Sequence, residues 1–270
     1  MCENERVQDL FMPGLQKYFD CGILRYHSRM SEQTNNSNAS ERAARNDDRL
    51  LQDWLTSAQF RDWLLQECRD PASVLASGHQ GVIVRKRHAG HDLAVKCASG
   101  SGLLRWARCW MLRREQLAYQ RLHGITGIPR CHGMPLPWAL VLQYVPGTAY
   151  RQAQLADRER WFEQLEQIVR AMHARGVSHG DLKRKANLLA GSDGQPWVLD
   201  LGTAIRRKAW WHVFNNWLFR QHCRADINAV LKHKYHGHYA RIAGADRNKL
   251  QVTAAEWLWR KLRHWLGLQH

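Results

Sequence analysis

The sequence predicts an α+β chain with two lobes, the first rich in β-strand and the second a reduced helical lobe. Three observations predict this. From residue 73, "VIVRKRHAGHDLAVKCA" holds two runs of β-branched residues around a polar turn at Gly90, the pattern of a hairpin. Two long helix-periodic stretches follow, "LLRWARCWMLRREQLAYQRLHGI" and "DRERWFEQLEQIVRAMHARG". Between them "WALVLQYVPG" reads as a buried strand stopped by Pro146 and Gly147.

In chain order, residues 1–72 read as an N-terminal helical extension. Within it, 31–48 ("SEQTNNSNASERAARNDD") is polar, nearly free of large apolar residues, and reads as a disordered linker. "RLLQDWLTSAQFRDWLLQECRD" then carries Leu51, Trp54, Leu55 and Leu64 at helical spacing, so one amphipathic helix is expected, with Pro71 beyond its end. Residues 73–147 form the expected N-lobe and hinge, the hinge lying near Gln143 to Gly147, and 148–270 the C-lobe. The first long helix should end near Gly124 and the second at Gly176, a C-cap glycine. "NLLAG" and "PWVLDLG" read as short strands around the turn "SDGQ".

With 270 residues and 44% of them hydrophobic, the chain can bury a substantial core. A net charge of +16 bears on partners, because a strongly basic surface seeks phosphate, nucleic acid or anionic lipid. Seven scattered cysteines without a C-x-x-C pair argue against a disulfide framework. The acidic start "MCENERVQDLF" is unlike a secretory signal, and runs such as "WALVL" are too short to span a bilayer, so the expectation is cytoplasmic. Thirteen Trp is a high count. Most lie beside Lys or Arg, which would suit a membrane interface, but core packing is the expected role. From Thr253 to His270, Leu258, Leu262, Trp265 and Leu266 share a helical face, with Arg260, Lys261, Arg263 and His264 around it. That basic amphipathic helix either docks onto the core or makes peripheral contact with the inner face of an anionic membrane.

The densest chemistry lies in "VSHGDLKRKANLLAGSDGQPWVLDLGTA", residues 177–204, where Asp181, Lys183, Asn187 and Asp200 fall on loops between apolar runs. Upstream stand "LASGHQGVIV", with Gly78 and Gly81, and "LAVK", ending in Lys96. In this order the motifs resemble those of the protein-kinase-like superfamily, whose pattern is a glycine-rich loop, V-A-I-K, H-R-D-x-x-x-x-N and D-F-G. The resemblance covers residues 73 to about 205 and implies a two-lobed protein-kinase-like fold using ATP and Mg2+. It implies that Gly78 and Gly81 let backbone N–H groups approach phosphate, and that Lys96 holds the phosphates with Glu115 as its partner. By the same resemblance Asp181 is the catalytic base, Lys183 steadies the transferred group, and Asn187 and Asp200 bind magnesium.

The departures point to a subtype. Asn187 lies six residues after Asp181, one more than the family pattern, so the loop must bulge. Gly180 replaces the Arg that answers a phosphorylated activation loop, and no A-P-E segment follows Asp200. The chain thus looks more like the compact RIO-type and bacterial lipopolysaccharide-core (Kdo or heptose) kinases. Asp226, in "RADINAVLKHKY", would brace the catalytic loop or lie as a surface carboxylate. His233, His236 and His238, with Cys223 upstream, match no zinc spacing and read as a solvated basic helix end. The expected function is phosphorylation of a hydroxyl, the acceptor being a lipopolysaccharide core sugar. The alternatives are a protein serine or threonine, as in RIO-type kinases, and a silent pseudokinase. Nucleic acid is not an expected partner.

Overall fold

The computed structural model describes residues 42–78, 81–238, 241–242, 244–252 and 261. Two compact units divide the chain, Met1–Asp53 and Trp54–His270. Helix α1 covers residues 42–55, so the described part of the first unit is helical. Residues 42–48, expected in the disordered linker, are therefore α1's first turns. Their polarity hid the helix propensity of Arg42, Ala43, Ala44 and Arg45. Residues 31–41 and, apart from Lys261, the expected C-terminal amphipathic helix lie outside the described residues.

In the second unit, α2 (Ala58–Glu67) begins at Ser57, whose hydroxyl accepts the Phe60 N–H at 3.2 Å. The single helix expected here is thus two, because a serine N-cap outcompetes helix continuation at Ser57. Five antiparallel strands follow: β1 (Val74–Gly78), β2 (Gly81–His88), β3 (His91–Ala98), β4 (Cys131–Leu136) and β5 (Ala139–Gln143), in the order β1-β2-β3-β5-β4. The β2–β3 hairpin closes through Ala89 (φ 45°) and Gly90 (φ 73°), two left-handed residues that match the strand twist. Leu93, Val95 and Cys97 are buried on one face of β3, so the period-2 alternation sends Lys96 to the other. Helix α3 (Gly102–Arg121) lies on that face.

Residues 144–146 lead from this sheet into a second of three strands, β6 (Gly147–Ala149), β8 (Leu188–Gly191) and β9 (Pro196–Val198). A two-stranded ladder joins β7 (Val177–Ser178) to β10 (Ile205–Arg206). Helices α4 (Arg158–Ala174), α5 (Val213–Lys234) and α6 (Gly244–Lys249) complete the described part. On α4 the buried Phe162, Leu165, Val169 and Met172 recur at helical spacing and meet Ile227, Val230 and Leu231 of α5 in the main core. An ionic knot ties α5 to α6. Asp246 accepts from Lys234 Nζ at 2.7 Å and from the Tyr235 hydroxyl at 3.0 Å, and pairs with Lys249 at 2.8 Å. Burial would raise the Asp246 carboxyl, but these donors outweigh it and bring it down to about 2.

The tryptophans do not behave as expected. Trp161 is buried, but Trp106, Trp110, Trp210, Trp211 and Trp217 are exposed. Core capacity sets how many large aromatics can be buried, and Leu, Val and Phe already fill this core. Among the described residues no helix is long and apolar enough to cross a membrane.

Candidate active site

Three distant segments converge on one ammonium. Lys96 Nζ, from β3, lies 2.9 Å from Glu115 Oε2 of α3 and 2.9 Å from Asp200 Oδ1, just after β9. Glu115 is 1% exposed, which an ionised carboxylate tolerates only when paired. Burial pushes its carboxyl up, while Lys96 and the Leu201 N–H act against that. Burial likewise pulls Lys96 down, but two carboxylates more than compensate, so its ammonium sits above the ordinary value. At Asp200 burial is again outweighed, by Lys96 and by the Gly202 N–H at 3.3 Å, and the carboxyl falls below its usual range.

Asp200 has φ 61°, in the left-handed region that few non-glycine residues occupy. The surroundings hold it there. Its N–H donates to the buried Tyr119 hydroxyl at 3.2 Å. Tyr119 follows Glu115 by one helical turn, so both point from α3 to the same place.

The loop between β7 and β8 is tied from below. Buried Asp226 of α5 accepts the His179 N–H and the Gly180 N–H, both at 2.8 Å, and lies 3.0 Å from His173 Nε2 of α4. It braces the loop, and is no surface carboxylate. His179 is fully buried; its Nδ1 accepts the Asp181 N–H at 3.2 Å and its Nε2 donates to the Leu199 carbonyl at 2.9 Å. His233 works from the other side. Its rings nitrogens meet the Tyr150 hydroxyl at 2.7 Å and the Leu182 carbonyl at 2.9 Å. The expected solvated helix end is therefore wrong for His233, because α5 continues inward to residue 234, while His236 and His238 are exposed. Among the described residues no group of His, Cys, Asp and Glu could hold a metal ion on its own.

The extra residue between Asp181 and Asn187 is taken up by consecutive tight turns: Arg184 N–H bonds the Asp181 carbonyl at 3.2 Å, and Lys185–Asn187 form a 3-10 turn. Asn187 is buried, and its Nδ2 donates to the Asp181 carbonyl at 3.0 Å. Leu199 N–H bonds the Asn187 carbonyl at 2.9 Å, which sets Asn187 beside the strand leading into Asp200. Asp181 is partly exposed, with Arg184 Nε 3.5 Å away, and Lys183 is exposed on the same loop. Gly78 pairs with Gly81 across the β1–β2 turn, whose tip lies outside the described residues. Gly81 has a strand-packing reason of its own, since a Cβ there would fall 1.8 Å from the Cys97 carbonyl oxygen.

Sequence reasoning gave no role to Tyr119, His179 or His233. Only Tyr119 carried a usable signal, its four-residue spacing from Glu115.

No family model matches the chain. Over 132 residues, 44% of this chain, it is 32% identical to a CBL-interacting protein kinase 25 of Oryza sativa subsp. japonica. It is similar at 27% over 131 residues to a CBL-interacting serine/threonine-protein kinase 13 of Arabidopsis thaliana, and at 28% over 153 residues to a putative CBL-interacting protein kinase 13 of Oryza sativa subsp. japonica. The chain is similar to protein kinases. The matched stretches span 26% to 30% of those relatives' own lengths. The fold, α+β with an antiparallel sheet and a small helical part, is kinase-like. None of the three is described as a RIO-type or sugar kinase.

Proposed function

We propose that the chain is an ATP- and Mg2+-dependent phosphotransferase acting on a hydroxyl group. The meeting of Lys96 with Glu115 and Asp200, residues 19 and 104 positions away in sequence, carries this reading. A buried, doubly paired ammonium with a carboxylate in left-handed backbone is costly to build and suits binding of phosphate and cation together. The donors fit magnesium, a hard cation that takes oxygen: Asp200 uses only Oδ1 on Lys96 and Gly202, and Asn187 uses its Nδ2, so an oxygen remains on each. Bound magnesium would neutralise charge on the transferring phosphoryl group.

In this reading Lys96, kept protonated, holds phosphate oxygens, and Glu115 fixes its direction. Asp181 accepts the acceptor's hydroxyl proton as the acceptor oxygen bonds the γ-phosphorus and the bond to ADP breaks. Lys183, exposed on the same loop, steadies the transferred group, while Gly78 and Gly81 bring backbone close to phosphate. Asp226, His179 and His233 position the loop and do not touch the reacting atoms.

For the acceptor, the net charge of +16 favours an anionic group such as the sugar of a lipopolysaccharide core. The second reading, a protein serine or threonine, is favoured by the relatives' description as protein kinases. Incubation with γ-labelled ATP and separated envelope and protein fractions tests both. Label in the envelope sugar favours the first and label in protein the second. Nucleotide binding without transfer to either would show a silent binding module and overturn the proposal.

A further inference from the structure

Most of the large exposed apolar side chains among the described residues fall in two segments. At the start of α3 they are Leu103 (86% exposed), Leu104, Trp106 and Trp110. After β10 they are Trp210 (82% exposed), Trp211, Val213, Phe214 and Trp217. Single exposed hydrophobics are ordinary, but a run of this kind marks a surface that meets something. Its charge says what. Residues 99–114 and 201–225 hold Arg105, Arg108, Arg113 and Arg114, then Arg206, Arg207, Lys208, Arg220 and Arg224, and neither stretch contains an Asp or Glu.

The second segment leads away from the helix that carries the first. Arg121 of α3 donates to the Arg207 carbonyl at 2.8 Å, and Arg114 lies 3.5 Å from the Ala204 carbonyl. Arg114 also stacks over the Trp110 ring, 4.8 Å from its centre. Burial and the neighbouring Arg121 and Arg114 lower Arg206 below its usual value, so cations face cations there. Cations interleaved with Trp suit a lipid headgroup region, where the indole ring sits at the boundary and the cations meet lipid phosphate.

We propose that the face made by the first half of α3 and by residues 205–217 docks on an anionic phospholipid surface. The proposal does not depend on phosphoryl transfer. Docking there would bring α3, which carries Glu115, and the segment following Asp200 to the bilayer.

The full chain should co-sediment with vesicles of phosphatidylcholine mixed with phosphatidylglycerol and not with phosphatidylcholine alone. Replacing Trp210, Trp211, Phe214 and Trp217 together by Ala should weaken partitioning about tenfold or more, since the interfacial apolar surface is lost. Should that variant not fold, Trp210→Ala/Trp211→Ala replaces only exposed side chains and should show the same direction. Arg206→Gln/Lys208→Gln should weaken binding and lessen its salt sensitivity. Thermal unfolding and nucleotide affinity of the variants that fold should stay at wild-type values. Equal binding to neutral vesicles, no vesicle binding by wild type, or unchanged binding by the aromatic variants would overturn the proposal. So would retention on single-stranded RNA that the same substitutions abolish while vesicles are ignored.

Discussion

Lys96 and Arg206 are both cations on strands of the same unit, and the protein treats them oppositely. Lys96 is enclosed by two carboxylates, and its ammonium is stabilised. Arg206 is partly buried beside Arg114 and Arg121, and its guanidinium is lowered. At the candidate site the cation is thus answered from within the fold by two carboxylates, whereas the aromatic face beyond β10 keeps a cationic excess that an external anion would satisfy. A cation paired within the fold preorganises a site; residual positive charge marks a surface for a partner.

Asp200→Ala should cut phosphoryl transfer by about 10³-fold or more, measured with labelled ATP, because it removes both the proposed metal ligand and one partner of Lys96. Transfer near the wild-type rate would break the site side of the comparison. Asp181→Ala should retain nucleotide binding while transfer falls about 10²-fold or more, as for a lost general base. A titration of nucleotide fluorescence beside the transfer assay separates the two effects.

Stability predictions follow. Asp226→Ala leaves the His179 and Gly180 N–H groups buried without an acceptor and should cost about 3 kcal/mol in denaturant unfolding. Asp246 has a folded value brought down to about 2 against an ordinary 3.8, so its contribution is present above the ordinary value and lost as pH falls through the folded one. The wild type should therefore lose about 2 kcal/mol between roughly pH 5 and pH 2 that Asp246→Asn lacks, read from unfolding at several pH values. At the small end, Trp210→Ala should change stability by no more than about 0.5 kcal/mol, since its ring contacts little of the fold.

How far the sequence carried can be argued from single residues. The hairpin around Gly90, the strand at 139–143 and the helix ending before Gly176 were readable because turn chemistry and periodicity are local. The break at Ser57 was not, since the same hydroxyl fits a helix interior or a cap and only the chain's path decides. Asp226 left two readings open because a carboxylate's burial depends on which loop lies against its helix. His233 misled for the same reason: basic neighbours at 232 and 234 look solvated, yet its own ring points inward.

By itself, then, the sequence determined the α+β class, the order of the chemical motifs and the cationic balance, all properties of residue type and spacing along the chain. Tertiary structure alone decided that Lys96 also meets Asp200, which of its two readings Asp226 takes, that His233 helps hold the loop carrying Asp181, and that so many tryptophans stay outside. Each of those depends on residues far apart in the chain competing for the same buried volume or the same hydrogen-bond partner. No local pattern records the outcome of that competition.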